Sequence, residues 1–260
     1  MTENYNKMSH CMSSNRFFVS ESGFEGPAVR LSAEQAHQVY HVLRLKTGDA
    51  IVVLDNAGYE YAVTLTTVTK REVIGEITAK SEASGEPRVR ITLFQSLLAR
   101  EKFEWVLQKG TEVGVARFVP VQTERSIARA RQIDAKKLTR WRRILTEAAE
   151  QSHRGRIPEI AEATPWNEAL AQFDTFDRTL IAATSGPTNA LEEALRPGDR
   201  PLSSIAVLIG PEGGFSDDEV RQACASGAVP VGLGPRILRT ETAAMILPAL
   251  ILHKTGDLQP

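Results

Sequence analysis

The chain has 260 residues, of which 42% are apolar and 24% charged, with a net charge of −1. This length allows one large domain or two smaller ones with full cores, and the composition excludes a disordered chain or a fibre. The near-zero charge excludes a globally basic nucleic-acid binder, so any nucleic-acid surface must be a local patch.

Residues 1–14 are polar and lack the apolar core of a signal peptide, so they read as a disordered leader to a soluble, cytoplasmic protein. Cys11 and Cys224 are the two cysteines, and they imply no disulfide framework. From residue 16 the chain predicts a short strand, RFFVS (16–20). Ser32 with Gln35 three residues on forms a capping box, which opens a helix running to about Arg44. Three β-branched, alternating segments follow at 50–55, 61–69 and 72–79. Together, residues 15–82 read as a small, mostly antiparallel β domain, a partial barrel.

The Ser/Gly/Pro-containing stretch 81–88 reads as a linker, and the rhythm then changes. Strands are predicted at 89–98, 117–121, 178–184, 205–210 and 229–234, and they alternate with helices. The helices are expected at 100–114 (stopped by Gly114), about 133–152, 189–195, from Ser216 (a second capping box, with Glu219) and from about Thr240. This alternation predicts a parallel α/β sheet with helices on both faces over 89–260. The longest apolar stretch, 243–252, is ten residues with Pro248 inside, too short to cross a bilayer.

Two loops carry the functional signal. IAVLIGPEGGF (205–215) runs from an apolar strand into Gly210, Pro211, Glu212, Gly213 and Gly214, and VGLGPRILRTETAAM (231–245) repeats the device. Ligands of open α/β sheets bind beyond the carboxyl ends of the strands, where glycines let the backbone approach closely and a helix N-terminus offers free N–H groups. A phosphate-binding P-loop is excluded because no Lys-Ser/Thr follows the glycines. The dinucleotide fingerprint is excluded because Ile237 stands where a third Gly or Ala belongs. HExxH, CxxC and GxSxG are also absent. His37 and His41 share one helix face but lack further ligands, so no metal is expected. Cys224, Trp105 and Trp141 read as packing residues.

IGPEGGFSDDE (209–219) followed by LGPRILRTETA (233–243) resembles the RsmE family of SPOUT-class RNA methyltransferases. QKGTEVGV (108–115), ERS (124–126), EAAEQSHRGRIPEI (147–160), RFF (16–18) and HVLRLKTGD (41–49) look like that family's other blocks, so the resemblance covers nearly the whole chain after residue 15. It implies a PUA-like RNA-binding β-barrel domain followed by a parallel α/β domain with a trefoil knot near 205–250, and a homodimer. It also implies S-adenosylmethionine as methyl donor and methylation of N3 of one uridine in small-subunit ribosomal RNA, free or within an assembled subunit. Carried onto this chain, the donor site comprises Thr184, Leu208, Gly210, Gly213, Leu233, Gly234, Ile237, Leu238 and Arg239.

Displacement at the methyl carbon needs in-line positioning and a route for the imide proton. Glu212 and Glu241 are therefore candidate bases and Arg239 a candidate anion stabiliser, while Glu212 could instead serve as an ion-pair partner of Arg239. The run from Arg125 to Arg143 holds eight Lys or Arg against one acid, Asp134. Such a patch neutralises phosphates, which makes Arg125, Arg129, Arg140 and Arg143 candidate RNA contacts, with Arg154 after the helix. Two other classes stay open. One is a non-catalytic RNA-binding or ribosome-assembly factor with a vestigial ligand site. The other is a metabolic α/β enzyme, which would leave the β domain and the arginine run unexplained.

Overall fold

Alternating apolar and polar residues build the first sheet. The computed structural model describes residues 15–126, 133–184, 186–198 and 200–258. The chain divides into a unit of Met1–Glu86 with Ala149–Ile157 and a unit of Pro87–Ala148 with Pro158–Pro260. The expected leader at 1–14, with Cys11, lies outside the described residues.

In the first unit, β1 (Arg16–Phe18), β2 (Phe24–Glu25), β3 (Ala28–Arg30), β4 (Ala50–Leu54), β5 (Tyr59–Val68) and β6 (Val73–Glu82) form one sheet in the order β1-β4-β5-β6-β3-β2. The pairs are antiparallel except β1 with β4. The pleat turns alternate residues inward, so Ile51 and Val53, and Val63 and Leu65, share one core with Phe17 and Val29. Helix α1 (Ala33–His37) opens on the expected capping box. Gln35 N donates to Ser32 Oγ at 3.2 Å, and Ser32 N donates to Gln35 Oε1 at 3.0 Å.

The helix does not run regularly to Arg44. Gln38–Leu43 is a π-helical turn, ended by Arg44 in the left-handed region at φ 54°. The widened turn keeps Val39 fully buried while Leu43 and Leu45 pack on the same core. His37 and His41 lie on the exposed side with ring centroids 4.6 Å apart.

The second unit is a parallel sheet. Its strands are β7 (Arg90–Ser96), β8 (Arg117–Gln122), β9 (Glu159–Ile160), β10 (Thr164–Pro165), β11 (Arg178–Ala182), β12 (Ser204–Ile209) and β13 (Val229–Val231). They run in the order β10-β8-β7-β12-β11-β13, with β9 also beside β8. Every pair is parallel, so all carboxyl ends emerge at one edge. Strand β12 is central, and Ile205 to Ile209 are buried. Its start is fixed by Asp177, whose Oδ2 accepts from the backbone N–H groups of Ser203 (2.8 Å) and Ser204 (2.9 Å) and from both hydroxyls.

Helix α2 (Arg100–Val113) stops at Gly114, at φ 114°, as its sequence predicts. Within it, a β-carbon on Gly110 would stand 2.7 Å from the Phe118 ring, so glycine there permits close helix–sheet packing. Helix α3 (Ala135–Gln151) places Trp141 and Leu145 inward, and the Trp141 ring stacks on Phe103 at 4.5 Å. Trp105, by contrast, is 37% exposed. The remaining helices are α4 (Trp166–Leu170), α5 (Leu191–Ala194), α6 (Asp217–Ala225) and α7 (Thr240–Thr255).

Helix α6 carries the second capping box, with Ser216 and Glu219. Its inward residues are Glu219 and Ala223, which turns the next residue, Cys224, outward: it is exposed, not buried as its sequence suggests. Strands β9 and β10 and helix α4 were not foreseen, because elements of two to five residues are too short to show a period.

Candidate active site

Two loops leave the carboxyl ends of β12 and β13. After β12, Gly214 N donates to Pro211 O at 2.9 Å, which closes a reverse turn on Glu212 and Gly213. Gly214 sits at φ 68°, a conformation that side-chain-bearing residues rarely adopt. After β13, Gly234 takes φ 91°, and nothing lies within 4 Å of where its β-carbon would stand. The two loops and the end of β11 enclose a cavity of about 530 Å³.

The cavity gathers most of the residues singled out from sequence. Thr184, Gly210, Gly213, Leu233, Gly234, Ile237, Leu238 and Arg239 all line it, as do Glu212 and Glu241. Leu208 does not. It is fully buried in β12, in register with Ile181 and Phe94, and the strand's contribution to the wall is Ile209. Several lining residues had no signal in the sequence, among them Lys102 and Thr188, whereas Phe215 closes the quoted 205–215 stretch. Gly232 could have been found, since it belongs to the same glycine-rich loop. A β-carbon there would meet Thr188 Oγ1 at 2.8 Å.

The electrostatic arrangement separates the two candidate acids. Glu212 Oε1 accepts from Lys102 Nζ at 3.0 Å, so its partner is Lys102 and not Arg239. Glu241 lies in the first turn of α7, and its Oε2 is buried with no hydrogen-bond partner among the described residues. Arg239 is the exposed N-cap of α7 and makes no side-chain cap. Beneath the loops, Gln95 is fully buried, its Nε2 donating to Thr240 Oγ1 at 3.2 Å. Thr240 Oγ1 in turn donates to Gly210 O at 2.5 Å.

The basic run does not behave as one set. Arg125 Nη1 donates to Gly213 O at 2.9 Å and to Phe215 O at 3.3 Å, so this side chain supports the first loop. Arg129 lies outside the described residues. Arg140 and Arg143 are on the exposed face of α3, Arg140 forked onto Glu104 at 2.6 and 2.8 Å and Arg143 on Glu147 at 2.7 Å. The two guanidinium groups beside Glu104, from Arg140 and Arg100, hold its carboxyl below the usual range.

Arg154 is a correction. Its side chain is 3% exposed and grips Glu86 through two bonds at 3.1 and 2.7 Å within the first unit. A guanidinium committed in this way is withdrawn from phosphate; it ties the chain just after α3 to the end of the β domain's own segment. Among the described residues no three His, Cys, Asp or Glu side chains are grouped to hold a metal ion.

Residues 85–252 match the model of an RNA methyltransferase domain, and residues 31–78 that of an RNA methyltransferase PUA domain. The ribosomal RNA small subunit methyltransferase E of Bacillus subtilis is 32% identical over 239 residues, covering 89% of this chain and 92% of that protein. This chain belongs to the RsmE family. Two solved structures carry the likeness to the fold. The Neisseria gonorrhoeae ribosomal RNA small subunit methyltransferase E bound to S-adenosyl methionine is 32% identical, covers 92% of this chain and 97% of its own, and superposes with a TM-score of 0.83. A putative methyltransferase from Legionella pneumophila in complex with the same cofactor is 31% identical over 92% of this chain and 97% of its own, with a TM-score of 0.81. The matched PUA segment falls within the β-sheet unit, and the methyltransferase segment contains both glycine loops.

Proposed function

We propose that this chain transfers a methyl group from S-adenosylmethionine to N3 of a uridine in small-subunit ribosomal RNA. The observation that carries the reading is the cavity between the two glycine loops, whose lining brings Glu212, Arg239 and Glu241 together with the glycine backbone.

The residues present fit the methyl donor. A volume of about 530 Å³ suits a nucleoside-sized ligand. Ile209, Leu233 and Leu238 give apolar surface for a flat base, and the open face at Gly234 leaves its backbone bare to the ligand. S-adenosylmethionine, when bound, supplies a methyl group on a positively charged sulfur. The backbone of Gly210, Gly213, Gly234, Ile237 and Leu238 would hold and orient it, with Thr184 at the end of β11.

The chain's own side chains then manage the uracil. Glu241 is assigned the N3 proton, because it lines the cavity and, among the described residues, makes no ion pair of the kind that holds Glu212. Glu212 is already committed to Lys102. Arg239 lies at the rim, where its cation offsets the charge that develops on the uracil oxygens.

The exposed arginines of α3 are assigned to phosphate, which their charge and exposure support. A homodimer is supported by the apolar outer face of α7, where Ile246 and Leu250 are each 38% exposed one helical turn apart. The trefoil knot near 205–250 and the cytoplasmic location rest on the family. Among the described residues no helix is long and apolar enough to cross a membrane.

The deciding experiment is transfer of labelled methyl from S-adenosylmethionine to small-subunit particles lacking their own modification, followed by nucleoside analysis. Label in N3-methyluridine supports the reading. No transfer with RNA still bound would favour a non-catalytic assembly factor, and label on another nucleoside would overturn the choice of atom.

A further inference from the structure

The loop after β8 is fastened to the glycine loop after β12 at two points and, at a third, to the first turn of α6, which that loop enters. Arg125 Nη1 reaches two carbonyls, Gly213 O at 2.9 Å and Phe215 O at 3.3 Å. Next to it, Glu124 N donates to Glu219 Oε1 at 2.8 Å. The same Glu219 carboxylate accepts from Ser216 N through Oε2 at 2.9 Å, and the residue is only 5% exposed. One buried carboxylate thus satisfies a backbone donor on each of two loops. The arginine's methylenes also pack on the glycine loop: a β-carbon on Gly213 would lie 3.4 Å from Arg125 Cδ.

The physical need is plain. Gly213 and Gly214 carry no side chains, so this part of the loop has nothing of its own to anchor it, and glycines have the most backbone freedom to lose. Its internal restraint is the Pro211–Gly214 hydrogen bond. A loop that presents backbone to a ligand must be held from outside, or ligand binding bears the ordering cost. Arg125 and Glu219 hold it with charge-assisted bonds, the stronger kind.

We infer that Arg125 and Glu219 are positioning residues for the donor site. They act through the glycine loop without touching the donor, and the Arg125 guanidinium serves this loop and is not an RNA ligand. Their effect falls on donor affinity and on the loop's mobility, while RNA affinity is left unchanged. The inference rests on the donor reading above, and its test separates the two.

The test uses the full chain with Arg125→Met, Arg125→Lys and Glu219→Gln. Affinity for S-adenosylhomocysteine, the demethylated donor, is measured by calorimetry, and amide exchange is followed at 213–216. Arg125→Met removes the two bonds at nearly constant length. Glu219→Gln turns one acceptor into a donor facing a backbone N–H. Each is expected to weaken binding about tenfold, the scale of a lost charge-assisted bond, and to speed exchange at 213–216. Arg125→Lys should recover part of the loss, and the melting temperature and RNA affinity of Arg125→Met should stay within error of wild type. Wild-type protein that binds no S-adenosylhomocysteine would defeat the donor reading itself. Wild-type binding with unchanged affinity and exchange in Arg125→Met and Glu219→Gln would overturn the positioning role alone. Weakened RNA binding with unchanged donor affinity in Arg125→Met would return Arg125 to the RNA surface.

Discussion

Thr240 Oγ1 donates to the carbonyl oxygen of Gly210 at 2.5 Å, so the first residue of α7 holds the start of the glycine loop that follows β12. The hydroxyl also accepts from Gln95 Nε2 at 3.2 Å, which links β7 to the same point. Both Gln95 and Thr240 are buried. Thr240→Val keeps the shape and removes the hydroxyl, while Gln95 Nε2 keeps its bonds to Ser96 O at 3.1 Å and Ile209 O at 3.4 Å and Gly210 O keeps a long one from Gln95 Nε2 at 3.5 Å. The expected result is a stability loss of about 0.5–1.5 kcal/mol, the net worth of a hydrogen bond, with a loss of donor affinity. Chemical denaturation and calorimetry would check the two separately. A Thr240→Val protein as stable as wild type would show that the bond contributes nothing net.

Gly210 is the other half of that relationship. A β-carbon there would meet Phe215 N at 3.1 Å and the Phe215 ring at 3.2 Å, both tighter than ordinary van der Waals separation. Gly210→Ala is therefore expected to push the reverse turn outward and reduce donor affinity. Gly198→Ala, where a β-carbon meets nothing within 4 Å, provides the control. Equal donor affinities for the two variants, measured by calorimetry, would count against close packing of this loop.

Asp177 gives a prediction for pH. Bonds from Ser203, through its hydroxyl and then its backbone N–H, and from Ser204 lower its pKa from 3.8 to about 2. Because the folded value is depressed, the stabilisation is fully present above pH 3.8 and is lost as pH falls toward about 2. Asp177→Asn should melt below wild type at neutral pH, and the gap should close in acid. A gap that stays constant from neutral pH to about 2 would show that the carboxylate charge is irrelevant.

How much of this was legible in the sequence depends on the length of each signal. The capping boxes at Ser32 and Ser216, the stop at Gly114 and the parallel strands feeding glycine loops all rest on local chemistry, and all appear in the structure. The π-helical turn after His37 does not follow from the 3.6-residue period, since its cause is tertiary: Val39 and Leu43 reach one core. Within the site, loop residues were readable because glycine and proline mark backbone needs. Lys102 was not, because 110 residues separate it from Glu212 and nothing in a helix's first turn signals such a partner. Arg154 misled for the opposite reason. A charge beside a basic run reads as surface until its partner, Glu86, is seen beside it.

The α3 arginines make a prediction about salt. Arg140 and Arg143 keep most of their side chains exposed despite their acidic neighbours, at 54% and 69%. Replacing both with Ala should weaken RNA binding and reduce the slope of log K against log salt by about 0.7–0.9 for each phosphate that is no longer neutralised. Glu104 keeps Arg100 in the double variant, so folding should hold. Filter binding over a salt series gives the slope, and an unchanged slope would remove α3 from the RNA surface.

The sharpest prediction concerns Arg239 and Glu241, which both line the cavity and for which opposite tasks are proposed. Glu241→Gln keeps size and removes the proposed proton acceptor. Its turnover at saturating donor should fall by about 100-fold or more, the usual contribution of a general base, with donor affinity little changed. Arg239→Ala should likewise lower turnover more than donor affinity, because a cation that answers charge developing on uracil acts mainly in the transition state. Single-turnover methylation at saturating donor, paired with calorimetric donor affinity, separates these effects from binding. Equal losses in turnover and affinity for Arg239→Ala would make it a binding residue. Full activity in Glu241→Gln would pass the base to Glu212, and Glu212→Gln should then lower turnover in its place.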